Sequence, residues 1–132
     1  MANIQSLVDL SGPIRSGLCQ LSLHFAHPTG TRRLPATAIV DTGCTTSAIR
    51  PGIAQALGLP VVGATQVAVA GRPSLRCELV RAQVILPSGV TWVRRLTVAA
   101  MDHDMLFGMD LLAGGVLTVD LVAGRWEWRT RE

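Results

Sequence analysis

"AIVDTGCTTSAI", residues 38–49, sets one aspartate between an apolar run and a Thr-Gly turn. Residues 36–40 read as a β-strand, and Gly43 breaks the pattern directly after Asp41. A carboxylate closing a core-bound strand requires either partners or a chemical purpose. The plainest alternative is an aspartate that merely caps a turn.

Composition narrows the setting. The chain has 132 residues, 48% of them hydrophobic, enough for one compact domain over residues 1–132 with a real core. Only 16% are charged, and the apolar content excludes a disordered chain. All twelve basic residues are arginine, a bias with no functional account here, and the net charge is +3. Arg32-Arg33, Arg94-Arg95, Arg129 and Arg131 are dispersed and lack interleaved aromatic platforms, which argues against nucleic acid as a partner. The start, "MANIQSLVDLSGP", lacks the basic and apolar pattern of a secretory signal. The uncharged stretch 51–71 is interrupted by Gln55, Gly58, Pro60, Gly63, Thr65 and Gln66, so it reads as a short helix plus a strand. No membrane contact by this segment and a cytoplasmic location are the expectations. Cys19, Cys44 and Cys77 are scattered, which suits reduced thiols inside a cell and neither a disulfide scaffold nor a zinc site.

The remaining pattern is mainly β. Alternation over residues 21–25 and short apolar runs at 36–40, 61–70, 75–86, 90–99 and 116–121 are separated by turn residues at 27–30, 70–73, 87–89 and 123–124. Strands so short and evenly spaced predict a barrel or a sandwich. Two helices fit between them: one with Pro51 in its first turn, stopping at Gly58, and a short one at 109–112 before Gly114-Gly115.

Asp41-Thr42-Gly43 after an apolar strand, a glycine-containing hairpin, and then "MLFGMDLL" at 105–112 occur in a fixed order. That order resembles the retropepsin-like aspartic proteases, the family of retroviral and retroelement proteases and their cellular and bacterial relatives. "FGMDLL" is more similar to the retroelement and cellular branches, since retroviral members often carry arginine after the glycine. The resemblance implies a closed β-barrel of the retropepsin (acid protease) type, one lobe per chain, with one or two short helices. It implies that Asp41 is catalytic, that Thr42 hydrogen-bonds across to a second copy of the turn, and that Gly43 and Gly108 let two backbones cross closely. Only one Asp-Thr-Gly is present, and Asp102, Asp104, Asp110 and Asp120 lack its context. Peptide hydrolysis by this chemistry needs two carboxyls, so the implied enzyme is a homodimer with one Asp41 from each chain on the two-fold axis. Such a pair shares one proton, and its titration belongs to the pair. An extended peptide or protein would be the substrate, with no metal and no organic cofactor. Residues 67–77 are the implied flap, with Val69, Ala70, Gly71, Arg72 and Pro73 around its tip, and residues 68–70 suggest apolar subsites.

The chain also departs from the family's pattern. Cys44 replaces a commoner alanine or serine, Thr45 stands where many retroviral members have a second aspartate, and Pro73 stiffens a flap tip with one glycine. Residues 4–10 and 124–129 are candidates for pairing between subunits as in retroviral enzymes, though relatives build this interface in different ways. Trp126 and Trp128 share one face of the last strand, and with Trp92 they read as core or interface aromatics. His24 and His27 point to opposite faces and make no metal pair. Asp102-His103-Asp104 reads as a polar surface loop, and Cys44 lacks the context of a nucleophile. A protease-like β domain that dimerises or binds peptides without turnover is the competing function, because fold alone does not guarantee chemistry.

Overall fold

The computed structural model describes residues 9–68 and 71–131. Its elements in chain order are β1 (Asp9–Arg15), β2 (Leu18–Ala26), β3 (Arg33–Val40), β4 (Ala48–Ile49), α1 (Pro51–Leu57), β5 (Val61–Val67), β6 (Leu75–Ile85), β7 (Thr91–Val98), β8 (Met105–Phe107), α2 (Met109–Leu112), β9 (Gly115–Asp120) and β10 (Arg125–Thr130). Local chemistry accounts for most of the boundaries. Ser16 and Gly17 both have positive φ, 52° and 74°, the mirror-image turn geometry that matches strand twist in a two-residue hairpin and joins β1 to β2. Pro51 begins α1, where a missing N–H costs nothing, and Gly58 ends it in the left-handed conformation with φ 57°.

Alternation decides which side chains form the core. Leu21, Leu23 and Phe25 of β2, Ala36, Ala38 and Val40 of β3, and Val80, Ala82 and Val84 of β6 all point inward. Leu96, Met105, Phe107, Ile53, Leu111 and Leu112 fill the space between them, and Leu10, Trp126 and Trp128 extend the core beneath the terminal strands.

The strands form one ten-stranded sheet in the order β5-β6-β7-β4-β8-β3-β2-β1-β10-β9. Most neighbours are antiparallel; β3 with β8 and β4 with β7 are parallel. The expected closed barrel is not what forms. β2 meets β6 only from His24↔Ile85 to Ala26↔Gln83, which bends the sheet into a partial ring, while β5 and β9 remain at its two ends. The physical reason is the terminal layer: β1 leaves β2 after two paired positions and joins β10, which carries β9 outward, away from any closure.

That layer also corrects the pairing expected of the terminal segments. β10 has β1 on one side and β9 on the other within the same chain, so neither of its edges is open to a partner strand. Residues 4–8 of the other segment lie outside the described residues. Among the described residues, no helix is long and apolar enough to cross a membrane.

Candidate active site

Parallel pairing of β3 with β8 sets the site's frame. Val40 lies opposite Phe107, and the next amide, Asp41 N–H, donates to the Phe107 carbonyl at 3.0 Å. Two segments therefore leave the sheet side by side, the turn that starts at Asp41 and the turn that starts at Gly108. Their backbones are laced together: Met109 N–H donates to Cys44 O at 2.8 Å and Asp110 N–H to Thr45 O at 3.2 Å. A Cβ on Gly108 would sit 2.6 Å from the Cys44 carbonyl oxygen, so only glycine permits this crossing. Gly43 is close to the carboxylate, donating its N–H to Asp41 Oδ1 at 2.9 Å.

Beneath the crossing is a polar knot that the sequence did not disclose. Ser47 is buried; its Oγ donates to Asp110 Oδ1 at 2.6 Å and accepts the Gly108 N–H at 2.8 Å. Its own N–H donates to the same carboxylate, 3.0 Å from each oxygen. Asp110 also accepts Leu111 N–H in the first turn of α2, where a negative charge suits the helix end. The available signals were a lone serine ahead of apolar Ala48-Ile49 and an acid two residues after the glycine.

A second carboxylate ties down the approach to β8. Asp104 accepts Thr37 N–H and Arg50 Nε–H, both at 2.9 Å. Burial alone would raise its pKa, but the Thr37 amide and the Arg50 guanidinium outweigh it and hold the carboxyl below its ordinary value. The 102–104 stretch, expected as a polar surface loop, is thus fastened to β3 and to the residue before α1. Among the described residues, no group of three or more His, Cys, Asp or Glu side chains is placed to hold a metal ion.

Asp41 is half-buried, while Thr42, Gly43, Thr45 and Thr46 are exposed. The carboxylate borders a cavity of about 490 Å³ walled by the turn, by Ala48 and Leu106, by Thr97, Ala99, Ala100 and Met101, and by Gln66, Val67 and Ala68 of the β5–β6 hairpin. Cys44 shares this cavity; its thiol donates to Thr46 O at 2.8 Å. Burial pushes the Cys44 thiol up, and the neighbouring Asp41 charge adds to the effect, which keeps the sulfur protonated and a poor nucleophile. Thr97 is 2% exposed, and its Oγ1 has no hydrogen-bond partner among the described residues.

The hairpin that contributes to the cavity wall pairs Val67 with Leu75 and Gln66 with Arg76, and its turn includes Gly71 at φ 74°. Gly71 and Arg72 are exposed there, whereas Val69 and Ala70 lie outside the described residues. The geometry thus brings Asp41, Thr42, Gly43 and Gly108 into one constellation and sets Gly71 and Arg72 at the turn of a separate hairpin.

Comparison with known proteins adds the family. Residues 30–111 match a family model described as "Aspartyl protease". The chain belongs to that family. The match runs from before β3 to α2 and so includes both crossing turns. A retropepsin-like aspartic protease from Rickettsia conorii shares the fold at a TM-score of 0.61 and 16% identity, over 94% of this chain and 92% of that one. The retroviral protease-like domain of Ddi1 from Leishmania major matches at 0.49 and 20% identity, over 78% and 82% of the two chains. No curated protein matches the sequence. By sequence the chain is of the aspartyl protease family, and its fold is retropepsin-like.

Proposed function

We propose that this retropepsin-like chain is an aspartic endopeptidase that works as a homodimer, with Asp41 of each copy activating one water. The observation that carries this reading is the Asp41 carboxylate bordering a cavity that the β5–β6 hairpin helps to wall, on a turn whose residues Thr42, Gly43, Thr45 and Thr46 are exposed in the single chain. Among the described residues no other carboxylate borders that cavity, and Asp110 is committed to Ser47. The second carboxyl then comes from a second copy, across a two-fold axis at the exposed turns.

In this mechanism the two carboxyls share one proton, since like charges at hydrogen-bond distance do not both ionise readily. The ionised member takes a proton from the water held between them as the water oxygen bonds to the scissile carbonyl carbon. The protonated member donates to the carbonyl oxygen. The resulting gem-diol collapses as the C–N bond breaks, and a carboxyl returns the proton to the departing amine. Thr42 would brace the pair by bonding to the partner's turn. The β5–β6 hairpin, with Gly71 and Arg72 in its turn, would act as the flap over an extended peptide held by backbone pairing.

The test is cleavage of an unbiased peptide library across buffers from acid to neutral, since the proposed pair works with one shared proton. Wild type cuts, with activity falling as the pair becomes fully ionised, while Asp41→Asn stays folded and cuts nothing. Equal cutting by both proteins would remove Asp41 from the mechanism. A folded, dimeric wild type that cuts nothing at any pH would leave a peptide-binding or dimerisation module instead.

A further inference from the structure

Three strands make the floor of the cavity beside Asp41. Cross-strand partners share a face, so Leu106 of β8, Ala48 of β4 and Thr97 of β7 stand in one row, and all three wall the cavity. Ala99, two residues beyond Thr97, adds to the same side. Their chain neighbours Met105, Ile49 and Leu96 turn the other way into the core. Register therefore holds Thr97 on the cavity side, and its N–H donates to Ser47 O at 3.1 Å.

The chemistry of that floor is uneven. Leu106, Ala48, Ala99, Val67 and Ala68 present carbon side chains to the cavity, whereas Thr97 brings a hydroxyl. Thr97 is 2% exposed, and its Oγ1 has no hydrogen-bond partner among the described residues. A valine would fill the same volume without desolvating a polar group, so the chain forgoes stability at this point. Ligand cavities have this character: mostly apolar walls with a few polar groups that fix what binds. A lone hydroxyl among carbon walls discriminates strongly, because a ligand that cannot bond to it leaves it buried and unpaired.

We propose that Thr97 is a specificity-determining residue whose hydroxyl hydrogen-bonds an uncharged polar side chain, serine or threonine, of a peptide lying across the cavity. The assignment rests on the aspartic-endopeptidase reading, which supplies the peptide. Rotation about the Thr97 Cα–Cβ bond between staggered positions turns Oγ1 toward a group seated on the floor. The hydroxyl then donates or accepts as the incoming group requires. An ionised side chain fits poorly. Asp41 is the one charged residue in the cavity wall among the described residues, so an acid meets repulsion there and no counter-ion. A base would hold the carboxyl pair in its ionised form and remove the shared proton.

The test uses the full chain and a peptide library in which each position in turn holds threonine or its isostere valine. At one position wild type favours threonine over valine by about tenfold in kcat/KM, and Thr97→Val erases that preference while the other positions keep theirs. Thr97→Ser, which retains the hydroxyl, keeps it. A purely structural role would instead shift every substrate alike. If a urea titration shows that Thr97→Val does not fold, Thr97→Ala takes its place. Binding of the same peptides to Asp41→Asn, with and without Thr97→Val, reads the preference without turnover. A wild type indifferent to threonine against valine at every position, or a preference that survives Thr97→Val, overturns the assignment. Cutting without a Thr97-dependent preference keeps the peptidase and overturns the role of Thr97; binding with that preference but no cutting does the reverse. Neither cutting nor binding overturns both.

Discussion

Ser47 serves as both donor and acceptor within one buried site, and that makes it the most sensitive polar residue beneath Asp41. Ser47→Ala leaves the Gly108 N–H buried without an acceptor and takes the Ser47 hydroxyl donor from Asp110. A loss of about 2 kcal/mol is expected, read as a lower urea midpoint at unchanged slope. Thr97 predicts the opposite sign. Its hydroxyl is desolvated without return, so Thr97→Val keeps the shape and removes the penalty. A gain of about 1 kcal/mol in the same urea titration is expected. The contrast explains what a sequence discloses at this scale. The close crossing at Gly108 could be read because backbone approach itself demands a residue without a Cβ at that point of the chain. Ser47, Asp110 and Thr97 could not, because the worth of a small polar side chain depends on partners some tens of residues away, set by sheet register.

Among the elements, those with local punctuation were legible: Pro51 and Gly58 bracket α1, and the apolar runs became β2, β3, β5, β6, β7 and β9 with shifts of a residue or a few at their ends. The two-residue strand β4 was not, since Ala48-Ile49 has too few residues to show a period, and its identity comes from lying between β7 and β8. The loop before β8 was underestimated for a related reason, as Asp104 finds its partners on β3 and at Arg50. A pH effect follows. A carboxyl held below its ordinary value of 3.8 in the folded state binds fewer protons there than in the unfolded chain. Its contribution is fully present above that ordinary value and is lost as pH falls through the lower folded-state value. Asp104→Asn is therefore expected to cost about 1 kcal/mol near neutrality, the pair being partly exposed, and the deficit should shrink as pH drops below the ordinary value. Urea titrations of both proteins from neutral into strongly acidic buffer check this; a deficit constant with pH would mean the carboxylate's charge contributes nothing.

For the whole molecule, strand content could be read from periodicity, but closure could not. Alternation marks which side of a strand faces the core and is silent on which edge meets which, so a barrel and an open, bent sheet share one pattern. Only the short β2–β6 contact and the outward β1-β10-β9 layer separate the two, and both depend on long-range pairing. The proposed function asks for a second copy, because the single chain offers one suitable carboxylate to a mechanism that needs two. Mixing makes that quantitative. If each active dimer needs Asp41 from both chains, Asp41→Asn chains act as poison, since they fold, pair and contribute a carboxamide. After subunit exchange, an excess of about nine Asp41→Asn chains per wild-type chain should cut activity about tenfold, because random pairing leaves few wild-type chains with a wild-type partner. Activity that ignores this addition would mean that one Asp41 suffices, and the two-carboxyl mechanism would fail with it.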